Sequence, residues 1–175
     1  KKTLSTLLTI CIVLALNSCF LFDFFEEDSN ESEAKVISIS AGKQTSFILY
    51  DDGTLKAFGA NKHGQLGLST RSFEQTGEPV EIFDNVQKVM GGYSNTFLIT
   101  EEGALWASGH NNYGILGNGT TYDKNSFVYI TTGVRDVSAG YDHTLFLMED
   151  NNLWGVGNNG SGQFCDTNIT SGSAS

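Results

Sequence analysis

Residues 42–67 read GKQTSFILYDDGTLKAFGANKHGQLG, residues 92–117 read GYSNTFLITEEGALWASGHNNYGILG, and residues 140–165 read GYDHTLFLMEDNNLWGVGNNGSGQFC. The three blocks, 26 residues each, align without a gap at offsets of 50 and 48. Gly59, Gly109 and Gly157 coincide, as do Asn61, Asn111 and Asn159, and Gly64, Gly114 and Gly162. Leu55, Leu105 and Leu153 share a position, and so do Leu66, Leu116 and Phe164. A β-branched segment precedes each block: VISIS from Val36, VQKVM from Val86 and VRDVS from Val134. Self-similarity at such a period marks a repeat architecture whose units cannot bury their apolar faces alone.

Each unit reads as β-structure. Residues 46–50, 96–100 and 144–148 are short runs rich in Phe, Ile and Leu, followed in the first two units by Asp52-Gly53 and Glu102-Gly103. Glycine accepts positive φ at such hairpin turns. A second strand is predicted over 55–58, 105–108 and 153–156, and a further one around 80–82 and 128–130. No 3.6-residue period competes. Short strands at this spacing predict an all-β fold of four-stranded antiparallel propeller blades.

Gly140 to Gln163 nearly spell G-x-x-H-T-x-x-L-x-x-x-x-x-L-W-x-x-G-x-N-x-x-G-Q, which resembles the regulator of chromosome condensation repeat. The resemblance runs from Val36 to about Asp166 and implies about three blades of a seven-blade ring. Its histidine is present at His143 and replaced by Thr45 and Asn95; its terminal glycine is replaced by Cys165. Nuclear members of that family act on a small GTPase and dock on chromatin, which does not suit an exported acidic chain. A secreted propeller with similar repeats inhibits β-lactamases through its rim, so the resemblance is compatible with extracellular protein binding.

The amino terminus supplies the export reading. Lys1 and Lys2 precede an apolar run ending Leu16-Asn17-Ser18-Cys19, a basic n-region and an apolar h-region as in a secretory signal. The ending resembles a bacterial lipobox, with Cys19 as the lipidated residue. The expected organisation is a signal peptide at 1–18, a lipidated acidic tether at 19–35 and a partial propeller at 36–175. Its repeats fall at about 36–85, 86–133 and 134–175, the last incomplete. An uncleaved anchor over 3–22 is the alternative, twenty residues without a charge. Either form places the remainder at a bacterial cell envelope, facing periplasm or exterior. Cys11 would leave with the signal, so Cys165 alone would remain as a thiol and no intrachain disulfide is expected.

Of 175 residues, 20 are acidic and 10 basic, a net charge of −10 that argues against nucleic-acid partners, which need clustered Lys and Arg. A hydrophobic content of 39% suffices for a packed core. The 20 glycines show no period of three and must serve turns. Three blades leave two apolar faces open, to be covered by downstream blades or by assembly of several chains into a ring.

Chemistry-bearing motifs mostly read as structural. Gly155, Gly157 and Gly160 match a dinucleotide fingerprint but straddle a strand end and a loop, with no helix to hold a pyrophosphate. Asp142-His143 suggests a general base, and Ser46 or Ser94 a nucleophile, but repeat register does not bring them together. His63 and His110 occupy non-matching loop positions, no Cys/His spacing suggests zinc, and the DDGT stretch at 51–54 is a hairpin turn rather than a calcium loop. No metal, cofactor or catalytic residue is expected. The residues that vary at equal positions are expected to form a rim: Lys43 and Gln44, Tyr93 and Ser94, Tyr141 and Asp142. A second set is Lys62-His63, Asn112-Tyr113 and Gly160-Ser161. Tyrosines on a rim offer large contact area at low entropic cost. The expected role is a non-enzymatic, membrane-anchored scaffold that binds a protein partner. The alternative is a piece of a larger exported enzyme or sugar-binding protein whose site is completed elsewhere.

Overall fold

Alternation of buried and exposed residues along short strands builds three sheets, each from one repeat. The structure, a computed structural model, describes residues 34–69, 76–164 and 170–171. All of them belong to the unit Ala34–Ser175. The expected signal peptide, Cys19, most of the tether and Cys165 lie outside the described residues.

The first sheet contains β1 (Val36–Ala41), β2 (Thr45–Tyr50), β3 (Leu55–Gly59) and β4 (Thr76–Phe83) in that spatial order. The second contains β5 (Val86–Gly91), β6 (Asn95–Thr100), β7 (Ala104–Gly109) and β8 (Lys124–Thr132). Both are antiparallel meanders. The third contains β9 (Val134–Ala139), β10 (His143–Met148) and β11 (Leu153–Gly157), also antiparallel. Its fourth strand, β12 (Thr170–Ser171), is two residues long and pairs parallel to β11. That differs from the long antiparallel fourth strands of the first two sheets. The edge strands β4 and β8 also extend beyond the apolar cores by which the sequence marks them.

The register repeats with the sequence. β1 and β2, β5 and β6, and β9 and β10 each carry a one-residue irregularity near the start of the first strand. Each 2–3 hairpin ties to the start of the next repeat: Val86 N donates to Gly53 O at 2.9 Å and Val134 N to Gly103 O at 3.3 Å.

The core lies between sheets. Phe47, Leu49, Leu55, Ala57 and Leu66 of the first repeat meet Val86, Val89 and Leu98 of the second. Phe97, Ile99, Leu105, Ala107 and Leu116 of the second meet Val134, Val137, Phe146 and Val156. Period-2 alternation sends Phe97 and Ile99 forward to the third repeat and Leu98 back to the first, so β6 is buried along its whole length. Buried Thr96 and Thr144, at equal positions, donate their hydroxyls to the preceding repeat's loop, at Gln65 O (2.6 Å) and Ile115 O (2.9 Å).

The same register exposes apolar residues on the outer faces of the first and third sheets. Ile39 is 76% exposed, whereas its equivalents Val89 and Val137 are 7% and 2% exposed. At the other end Leu153 is 37% exposed, and its equivalents Leu55 and Leu105 are fully buried. Among the described residues no helix is long and apolar enough to cross a membrane.

Candidate functional site: an aromatic cleft on one rim

The loops between first and second strands, and those between third and fourth, emerge on the same edge of the antiparallel sheets. Each first loop is a tight turn in which the glycine N–H donates to the carbonyl three residues on: Gly42 to Thr45, Gly92 to Asn95 and Gly140 to His143, at 2.8–2.9 Å. The side chain at the third position folds back over that glycine. A Cβ on Gly42 would stand 2.5 Å from Thr45 Oγ1, and one on Gly140 would run into the His143 ring. His143 is therefore a loop brace, 3.9 Å from Asp142 Oδ1 and packed at 6.1 Å against the Phe164 ring. Asp142 Oδ2 accepts a hydrogen bond from Asn158 Nδ2 at 2.7 Å, which ties the first loop to the loop after β11.

The loops after the third strand are built on the repeated asparagine. Asn61, Asn111 and Asn159 each accept a hydrogen bond from the backbone N–H five residues on, all at 2.9 Å. Asn111, wholly buried, also donates from Nδ2 to Asn118 Oδ1 and to the carbonyls of Thr120 and Tyr122. A 3₁₀ turn at Asn112–Gly114, which sequence periodicity did not reveal, presents Tyr113 outward with a φ of 60°.

These scaffolds bring most of the expected rim residues together. The Tyr93 and Tyr141 rings lie 4.2 Å apart, tilted by 54°. Lys43 Nζ sits 4.1 Å from the centre of the Tyr93 ring and donates a hydrogen bond to its hydroxyl. That bond, more than any other influence, holds the Tyr93 phenol below its ordinary 10.0, whereas Tyr141 is raised chiefly through its own hydrogen bond to Tyr93. The directions agree with a chain in which Tyr93 oxygen accepts from both the Lys43 ammonium and the Tyr141 hydroxyl.

Beside this cluster is a cleft of about 360 Å³. Tyr93, Ser94, Tyr141 and Asp142 line it together with His63, His110 and Tyr113. The two sets of candidate loops thus share one concave surface. Gln44 is exposed and does not line the cleft, and Ser161 and Lys62 are likewise exposed away from it. Tyr113 and Tyr141 are 63% and 65% exposed, so two aromatic faces stand open to solvent at its edge.

Sequence positions gave no reason for His63 and His110 to meet, yet their rings are 4.9 Å apart, edge to face. Asp123 lies between them, with Oδ2 at 3.3 Å from His63 Nδ1 and Oδ1 at 3.3 Å from His110 Nδ1. The close approach of the two repeats makes this pairing. At Gly64 there is no room for a Cβ, which would collide with the backbone of Lys124 and Asn125. Burial alone would raise the Asp123 carboxyl, but the Asn111 N–H, the His63 hydrogen bond and the neighbouring imidazoles outweigh it and hold it below the ordinary value.

Stacked four-stranded sheets with glycine-rich rim loops define a β-propeller repeat protein. The chain belongs to the family of the regulator of chromosome condensation (RCC1) repeat, one model of which matches residues 36–65 and 134–163 and a second residues 102–147. None of the curated proteins matches it. Among solved structures it is similar to human WBSCR16, at 22% identity and a TM-score of 0.62, over 83% of this chain and 40% of that one. It is similar also to the structure of Kap60 bound to yeast RCC1 (Prp20), at 22% identity and a TM-score of 0.63, over 72% and 30% of the two chains. A third likeness is to Prp20p from Saccharomyces cerevisiae, a structure described with that protein's binding to Gsp1p and histones. The identity is 23%, the TM-score 0.58, and the coverage 72% and 31%. The chain thus spans 30–40% of the length of these solved proteins, and at such identity the likeness is one of fold.

Proposed function

We propose that this chain is a non-enzymatic binding scaffold, exported and lipid-anchored through Cys19 at a bacterial cell envelope, whose rim cleft takes a protein partner. The observation that carries the reading is the Lys43–Tyr93–Tyr141 cluster beside the cleft, with Tyr113 and Tyr141 standing exposed at its edge. Rigid amphipathic rings with a charged neighbour are the composition that protein-binding surfaces favour. The yeast relative of the fold is described with Kap60, Gsp1p and histones, all of them proteins, which supports a macromolecular partner as a class. The lipobox-like ending at Cys19 supports the anchor, and the acidic composition supports a partner other than nucleic acid. A second reading, a sugar-binding module, draws on the cleft itself, whose volume lies within the range of small-ligand sites.

A photoreactive phenylalanine analogue placed at Tyr113, at Tyr141 or, as a control, at Glu102 on the opposite edge tests the partner reading in the source cells. Protein adducts from the first two sites and none from Glu102 are expected. Adducts from Glu102 alone, or none from any site, would overturn it, and a glycan adduct would favour the second reading. Incorporation of a labelled fatty acid, abolished by Cys19→Ser, is expected for the anchor; an unlabelled wild-type chain would refute that part.

A further inference from the structure

We propose that His63, His110 and Asp123 bind a divalent transition-metal ion of the zinc class, with open coordination positions facing the rim cleft. Two imidazoles and one carboxylate are a donor set that such ions accept, commonly with solvent or a ligand completing the shell. The three side chains offer ligand atoms that all lie within 4.8 Å of one another. In a tetrahedral shell with bonds of about 2.0–2.1 Å, neighbouring ligand atoms stand about 3.3 Å apart. His63 Nδ1 stands 3.3 Å from Asp123 Oδ2 and His110 Nδ1 3.3 Å from Asp123 Oδ1, each at that separation from its own carboxylate oxygen. The side chains must therefore turn to bring both nitrogens and one oxygen onto a single ion.

A hydrogen-bonded His–Asp–His arrangement accounts for the cluster less well. His110 Nδ1 is shut off from solvent and makes no hydrogen bond, although Asp123 Oδ1 is 3.3 Å away. A buried polar atom left in this way is costly, and a metal ion would supply its partner. The carboxylate is held from behind, where the Asn111 backbone N–H donates to Asp123 Oδ1 at 3.0 Å, and Gln65 Oε1 accepts the His63 backbone N–H at 2.9 Å, which braces the loop but not the imidazole. An outer contact like that on Asp123 fixes ligand orientation. His63 and His110 also line the cleft, so an ion there would have positions open to an incoming group.

The repeat pattern itself does not call for the histidines. The positions of His63 and His110 are occupied one repeat on by Tyr113 and Asn158. The glycine N–H in each of these loops still donates to the repeated asparagine's carbonyl, Gly64 to Asn61, Gly114 to Asn111 and Gly162 to Asn159, at 3.0–3.1 Å. The sequence did not reveal the site because its ligands are separated by 47 and 13 residues, belong to two repeats and break the repeat pattern.

The test uses the full chain without a polyhistidine tag, stripped of metal and titrated with Zn²⁺ by calorimetry and with Co²⁺ by visible absorption. One ion per chain is expected, with binding weakened at least about 10-fold in His63→Tyr, His110→Asn and Asp123→Asn. The first two variants restore the residues of the next repeat, so their metal-free melting temperatures should match wild type, and Zn²⁺ should raise the melting temperature of wild type alone. Absence of stoichiometric binding would overturn the proposal. So would binding that all three substitutions leave unchanged, since the ion would then lie elsewhere.

Discussion

Leu55, Leu105 and Leu153 occupy one repeat position, and the structure makes them a natural experiment. Leu55 and Leu105 are fully buried, each closed in by the following repeat, and Leu105 packs among Phe97, Ile99, Val137 and Phe146. Leu153 has the same place in its hairpin but is 37% exposed. Truncating a buried leucine loses its transfer free energy and leaves a cavity, so Leu55→Ala and Leu105→Ala should each cost about 3 kcal/mol. Leu153→Ala leaves no closed cavity and should cost about 1 kcal/mol. The gap of about 2 kcal/mol is roughly 30-fold in the unfolding equilibrium. Urea titrations of the purified full chain, followed by the fluorescence of Trp106 and Trp154, would measure it. An equal loss at Leu105 and Leu153 would refute the claim that the next repeat, and not the hairpin itself, buries this position.

Three further outcomes follow from individual contacts. Gly109→Ala places a Cβ 2.5 Å from Ser94 O at a φ of +104°, whereas Gly119 has a φ of +73° and open space. In thermal melts Gly119→Ala should cost about 1 kcal/mol and Gly109→Ala at least twice that. Asn111→Asp should destabilise as much as Asn111→Ala, by about 2 kcal/mol, because neither side chain can donate to Asn118, Thr120 and Tyr122. Burial raises the Asp136 carboxyl, but the Lys88 hydrogen bond at 2.7 Å, the Val137 N–H and nearby cations outweigh it and hold it below 3.8. A depressed carboxyl stabilises above 3.8 and loses that contribution as pH falls through its lower folded value. Asp136→Asn should therefore cost no more than about 1 kcal/mol at pH 7, the pair being half exposed, and should flatten the acid limb of the stability profile.

The sequence exposes those parts of the fold that every repeat needs. Gly59, Gly109 and Gly157 recur because each lies against a first-loop carbonyl, Gln44 O, Ser94 O or Asp142 O, where a Cβ does not fit. Asn61, Asn111 and Asn159 recur because each holds the next loop through one backbone N–H. What occurs in one repeat only stays hidden. β12 is parallel and two residues long, so it has no pattern to read. The His63–His110–Asp123 cluster depends on how closely one repeat approaches the next at Gly64, a tertiary fact carried by no spacing. Between these lies the rim, where Tyr93 and Tyr141 stand out at equal positions, while the Lys43 contact to Tyr93 is a meeting of side chains from two repeats that no spacing announces.

The claim that the first- and third-strand loops form the working surface is tested most directly by hydrogen–deuterium exchange. The full chain would be compared alone and with the protein captured by the photoreactive residue at Tyr113. The account predicts new protection in residues 93–94, 110–115 and 140–142, and none in the hairpins at 101–103 and 149–152. Protection confined to those hairpins, or to the open apolar faces around Ile39 and Leu153, would contradict it.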